Sequence, residues 1–220
     1  MDKISQLRRS LRDARGMKVI FLSHCILNEN TRYLGGACSP GCVKPIVEQC
    51  ISNDWGIVQL PCPEQRAWGG VVKKHMLKAY GAESSPSYRF RAIAVPIFVW
   101  YSRWIYRGLA RMVAEEIEDY LKSGFVVVGI VAIDGSPLCG LNVTLDLRAS
   151  FERTATMDVA GATIANMNEI IREALVAGDG LFTAALRDEL GRRNLDVPYF
   201  AHDLVAEISG KPTRTPIFST

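Results

Sequence analysis

The run Phe125-Val-Val-Val-Gly-Ile-Val-Ala-Ile133 is continuously apolar, apart from one glycine, as expected of a strand covered on both faces at the centre of a sheet. Met17–Ser23 and Gly56–Leu60 read as further short strands, and Val197–Phe200 as a last one weakened by Pro198. Helical patterns separate them. One is expected from about Gly41 to Asn53. Another runs from about Val95 to Lys122, with Trp104, Leu109, Met112, Val113, Ile117, Tyr120 and Leu121 sharing a broad face and Gly124 as the stop. Met167, Ile170, Ile171, Ala174 and Leu175 mark a third, and Leu181, Phe182, Ala185, Leu186 and Leu190 a fourth. Residues 66–92 show weak periodicity and are expected to be mostly irregular. Strands alternating with helices predict an α/β, Rossmann-like three-layer domain with a mainly parallel sheet of about four strands. In such sheets ligands bind beyond the carboxyl ends of the strands.

The 220 residues suit a single α/β domain. Residues 1–16 read as an amphipathic helix packed on it, with Ile4, Leu7, Leu11 and Ala14 at helical spacing. No apolar run approaches the ~18 residues of a membrane helix; Ile93–Ile105, the most hydrophobic stretch, is broken by Pro96 and Arg103. Val19–Leu22 is too short for the apolar part of a secretory signal, so a cytoplasmic protein without a membrane partner is expected. The net charge is +3, and Lys3, Arg8, Arg9, Arg12 and Arg15 against Asp2 and Asp13 account for all of it. A neutral body favours a small-molecule partner over nucleic acid. The sequence carries no sign of oligomeric state.

Six cysteines in a reducing compartment are metal ligands, reactive thiols or core residues rather than disulfides. Three of them follow strand-like runs: Leu22-Ser-His-Cys25, Leu60-Pro-Cys62 and Ala132-Ile-Asp-Gly-Ser-Pro-Leu-Cys139. If the strands are neighbours, these sulfurs meet at one point. Three thiolates suit an iron–sulfur cluster with one iron left open, and soft sulfur ligands suit zinc as well. Cysteine is also a common buried residue, so the ends of strands alone leave the matter open.

Four blocks in order carry a resemblance: Ser23-x-Cys25-x-Leu27, Thr31-Arg-Tyr-x-Gly35-Gly36, Gln59-Leu-Pro-Cys-Pro-Glu64 and Asp134-Gly-Ser-Pro-Leu-Cys-Gly140. Together they resemble the signature blocks of the TudS-like desulfidases, the thiouracil desulfidase family. The resemblance implies an α/β fold and a 4Fe-4S cluster held by Cys25, Cys62 and Cys139. It implies a place near the substrate for Ser136. Two departures stand out: Leu138 replaces a serine common in the last block, and Ile26-Leu27-Asn28 replaces a leucine pair and glycine. Both alter side chains near the open iron, so substrate identity does not carry over.

The chemistry so implied is hydrolysis of a C–S bond in a small thiocarbonyl compound, such as a thiolated pyrimidine, with release of sulfide. It requires one group to deprotonate water and another to protonate the leaving species. Glu64 is the first candidate and Asp134 the second, with Ser136 donating to the substrate or positioning water. Asn28 and Arg32 are candidate substrate-binding residues, Arg32 for an anionic thiolate. Each has a structural alternative: Glu64 opens a helix after Pro63, Asp134-Gly135 and Ser136-Pro137 are turn pairs, and Arg32 can be a solvated loop charge. The alternative functions are a non-catalytic Fe-S or zinc protein, or another lyase or hydrolase using an open iron.

Cys42 and Cys50 are expected on a helix as core residues, with Cys38 unassigned. His24 should point away from Cys25 in an extended chain. His202 reads as a core or surface histidine, and His75 carries no signal. Trp100, Tyr101, Trp104 and Tyr106 read as helix-to-core packing. No phosphate-binding loop or nucleophile elbow is present.

Overall fold

The computed structural model describes residues 3–76, 86–156, 160–211 and 213. Its centre is a four-stranded sheet of β1 (Lys18–Leu22), β2 (Gly56–Gln59), β3 (Val126–Asp134) and β6 (Tyr199–Asp203), in the order β2-β1-β3-β6. All three pairings are parallel, with Leu22 opposite Gln59 on one side and Val131 on the other. The expected α/β fold with a parallel sheet is therefore present. Pro198 precedes the last strand and lends its carbonyl to the Ile130 amide (2.8 Å), so the missing donor costs the ladder nothing.

Side-chain alternation divides the core into two layers. Ile20 and Leu22 of β1 and Val131 and Ile133 of β3 pack with Ile46 and Cys50 of α3 (Lys44–Ser52). Val19, Phe21 and Ile130 face the other way, toward Tyr106, Val113 and Ile117 of α6 (Arg91–Lys122) and Phe182, Leu186 and Leu190 of α9 (Leu181–Arg192). The other helices are α1 (Lys3–Ser10), α2 (His24–Leu27), α4 (Pro63–Ala67), α5 (Pro86–Arg89), α7 (Leu147–Thr156), α8 (Ile164–Glu173) and α10 (Leu204–Ile208). A small antiparallel pair, β4 (Val143–Leu145) with β5 (Leu175–Ala177), flanks the sheet.

Several expectations change. α6 starts at Arg91, so Pro96 lies inside it and one backbone donor is missing from its ladder. The face assigned to it splits: Val113 and Ile117 are buried, but Trp104 and Met112 are exposed. At 100° per residue these pairs lie on nearly opposite sides of the helix. Of the aromatic group only Tyr106 is in the core; Trp100, Tyr101 and Trp104 face outward. Residues 66–92 include the end of α4 and all of α5, while 77–85 lie outside the described residues. Leu175 belongs to β5, past the end of α8. Cys42 precedes α3 rather than lying on it, while Cys50 is fully buried in the core. The N-terminal helix α1 buries none of its residues, contrary to the packed apolar face expected of it.

Candidate metal centre

β2, β1 and β3 are adjacent and parallel, so their carboxyl ends open on the same edge of the sheet. After β1, Ser23 anchors the chain through its amide and hydroxyl, both donated to the Val131 carbonyl (3.1 and 2.8 Å). This places Cys25 in the single turn of α2. After β2, Cys62 caps α4, its Sγ accepting from the Gln65 amide at 3.4 Å, and Pro63 supplies the preset first helical residue. After β3, the Cys139 carbonyl accepts from the Ile133 amide (2.8 Å), folding the loop back on its own strand.

The Cys139 loop is fixed from outside by α9. Leu181 donates to the Pro137 carbonyl (3.1 Å), and Phe182 and Thr183 both donate to Leu138 (3.0 and 3.1 Å), so the loop satisfies amides left open at the helix start. The approach is tight: a β-carbon on Gly180 would fall 2.4 Å from the Leu138 carbonyl atoms.

Cys25, Cys62 and Cys139 line one cavity of about 50 Å³ with His24, Arg32, Tyr33, Glu64 and Ser136. Burial pushes the Cys25 thiol up to about 12 and the Cys62 thiol up to about 11, from an ordinary 9.0. Cys139 is raised further, by burial and then by the neighbouring Cys25 and Cys62 sulfurs. Cys62 acts on Cys25, and both act on Cys139, which marks the three as one group. Their sulfurs nevertheless do not all lie within 4.8 Å of one another. Soft thiolate donors such as these suit zinc as well as an iron–sulfur cluster.

The other candidates separate. Glu64 lines the cavity, and its Oε2 accepts from the ammonium of Lys73 at 2.7 Å. Lys73 is buried and also donates to the Thr31 carbonyl (3.1 Å). Burial works against the charged form of Lys73, but the charge and hydrogen bond of Glu64, with the nearby Cys62 and Cys25, together hold the Lys73 pKa above its ordinary value. Gly69 and Gly70, both at positive φ, form the turn that returns the chain to this position. Ser136 also lines the cavity; its Oγ accepts from the Leu138 and Cys139 amides (3.3 and 3.1 Å), which leaves the hydroxyl proton available for donation.

Asp134 is engaged elsewhere. Its carboxylate accepts from the Leu141, Asn142 and Val143 amides and the Asn142 side chain, at 2.9–3.3 Å, and holds the loop together. The Asn28 side chain caps the short 3-10 turn Glu29–Thr31 through the Asn30 amide. Arg32 borders the cavity, but its Nη1 lies 3.0 Å from Glu29, 2.8 Å from Glu207 and 3.1 Å from the Gly36 carbonyl, with a side chain only 2% exposed. Glu29, Cys38 and Glu207 place their ligand atoms within 4.8 Å, yet the Arg32 guanidinium between the two carboxylates already supplies positive charge. His202 is buried against Glu207 (2.9 Å), a core histidine.

Two features were not expected. His24 lines the cavity beside Cys25, because the chain there turns as a helix rather than running extended. A second cavity of about 110 Å³ shares Tyr33, Glu64, Pro137 and Leu145 with the first and is walled by Trp68, Met76, Leu147, Phe151 and Ile171. It is an apolar chamber opening on the carboxylate.

No known family's profile matches the chain, and no solved structure matches it. The chain is similar to the uncharacterized protein MJ0003 of Methanocaldococcus jannaschii, at 40% identity over 50 residues, or 23% of this chain. The match spans 32% of that relative's length.

Proposed function

We propose that the protein is a 4Fe-4S-dependent desulfidase that hydrolyses the C–S bond of a small, flat thiocarbonyl compound such as a thiolated pyrimidine. The observation that carries the reading is three thiols, Cys62 buried and Cys25 and Cys139 half-buried, from three adjacent strand ends around one cavity. Cys25, Cys62 and Cys139 would hold the cluster, and Lys73 supplies positive charge to both Cys25 and Cys62. When bound, the cluster would supply a Lewis acid with affinity for soft sulfur, at an iron that lacks a protein ligand.

The chain's own residues do the rest. The apolar chamber beside the thiols receives a ring, with Trp68 and Phe151 as flat walls. Glu64 takes the proton of the attacking water and returns it to the departing group. Lys73 holds that carboxylate in place. Ser136 donates its free hydroxyl proton to the substrate. Asp134 keeps the Cys139 loop in shape and is not assigned a proton-transfer role.

The test is anaerobic reconstitution followed by iron and acid-labile sulfide analysis of the wild type and of Cys25→Ser, Cys62→Ser and Cys139→Ser, then assay of sulfide release from thiolated pyrimidines. The wild type should hold about four irons per chain and each variant should lose them. Zinc in place of iron, or a serine variant that keeps its cluster, refutes the ligand set. A full cluster without turnover on any thiocarbonyl compound leaves a non-catalytic cluster protein instead.

A further inference from the structure

The outer face of α6 is apolar where a surface helix is usually polar. Phe90, which caps the helix, and Ile93, Ile97, Trp100 and Trp104 recur at spacings of three and four residues, and each is 59–70% exposed. The opposite face, with Tyr106, Ala110, Val113 and Ile117, supplies the core, so the stripe is surplus to folding. The two tryptophans alone present on the order of 300 Å², already comparable to the largest apolar patch of an ordinary monomer.

Charge indicates the occupant. From 86 to 114 the chain carries Arg89, Arg91, Arg103, Arg107 and Arg111 and no Asp or Glu. All five arginines are exposed; Arg103 borders the stripe, and Arg107 and Arg111 follow at four-residue intervals, continuing its line past Trp104. A second copy laid antiparallel and centred on this stripe would bring Arg89 of one chain near Arg103 and Arg107 of the other. An anionic surface complements both features. The helix α1 repeats the chemistry, with Ile4, Leu7 and Leu11 exposed among Lys3, Arg8, Arg9 and Arg12.

We propose that α6 is a peripheral membrane-contact element, by which the protein lies on an anionic lipid bilayer with Trp100 and Trp104 at headgroup depth and the arginines against lipid phosphates. No helix among the described residues is long and apolar enough to cross a membrane. Lying on a bilayer is a different mode of contact, which requires an apolar stripe bordered by cations rather than a continuous apolar run.

The experiment is co-sedimentation of the full chain with vesicles of phosphatidylcholine alone or mixed with phosphatidylglycerol, at low and physiological salt. Binding is expected to the anionic vesicles only, weakening as salt rises. Arg103→Gln/Arg107→Gln/Arg111→Gln should lower the partition about fivefold per arginine, on the order of 100-fold together. Trp100→Ser/Trp104→Ser should abolish binding while the circular dichroism spectrum and melting temperature stay those of the wild type, because both side chains lie outside the core. Absence of binding to anionic vesicles overturns the proposal, as does binding that neither variant reduces. A concentration-dependent dimer in sedimentation equilibrium that Trp100→Ser/Trp104→Ser dissolves also overturns it, and assigns the stripe to a second copy.

Discussion

Replacing Gly180 by alanine tests whether the Cys139 loop depends on its contact with α9. Gly180 has φ −65° and ψ 157°, a conformation open to any residue, so alanine meets no backbone strain there. What it meets is the loop. The new methyl would sit 2.4 Å from the Leu138 carbonyl carbon and oxygen and 2.7 Å from the Gly140 amide nitrogen, against 3.4 Å for ordinary contact. The neighbours are backbone atoms, so helix and loop must part by about 1 Å. Overpacking of this kind costs about 1–3 kcal/mol, a fall in melting temperature of about 2–10 °C for a chain of this length. The same displacement carries the Cys139 sulfur out of register with the other two, where metal–sulfur bonds tolerate only a few tenths of an ångström. Iron and labile sulfide per chain should therefore fall sharply although no ligand has changed. Gly191→Ala is the control, since a methyl there meets nothing within 4 Å and should stabilise the helix by about 0.5–1 kcal/mol. Full cluster loading with an unchanged melting temperature in Gly180→Ala would refute the argument.

Three other outcomes follow from the geometry. Lys73→Met leaves the Glu64 carboxylate without its counter-charge in a largely buried setting and should destabilise the fold by about 2–4 kcal/mol in urea unfolding, whereas Lys73→Met/Glu64→Gln should recover most of that loss. Asp134→Asn removes the charge that gathers four donors and should cost about 1–3 kcal/mol, with reduced cluster retention as the loop loosens. The metal-free protein should be sensitive to alkali. Folding raises the Cys25 and Cys62 thiols from about 9 to about 12 and about 11, so the unfolded chain loses their protons first; the stability they confer is complete below pH 9 and declines as pH climbs toward 12. Melting curves from pH 7 to 11 should show this decline, and Cys25→Ala/Cys62→Ala should make it shallower, leaving the part due to Cys139.

Much of this arrangement was legible in the residues themselves. β1 and β3 announced themselves because strands buried on both faces must be apolar, and β2, at the sheet edge and only half-buried, as a short run around Ile57 and Val58; Cys25, Cys62 and Cys139 follow them within a few residues. Lys73 was not legible, because its pairing with Glu64 depends on a glycine turn with no periodic pattern around it. His24 was misread through a wrong local geometry, an extended chain where one helical turn stands. The outward side of α6 was hidden for a different reason. That helix is apolar over much of its circumference, so its periodicity could not say which side meets the sheet. Asp134 read as the second acid/base candidate or half of a turn pair, and its four donors come from a loop whose path only the folded chain reveals.

The three thiols come from separate crossings of the sheet, and no two share a segment. A peptide with paired cysteines a few residues apart can capture metal as it leaves the ribosome. This chain cannot, because Cys139 reaches Cys25 only after β3 has docked beside β1. Whatever these sulfurs hold must be delivered to a finished protein, through the mouth of the cavity, by a donor able to approach that edge. On the proposed cluster, maturation is thus a late event, and chains starved of iron should accumulate folded and empty rather than unfolded.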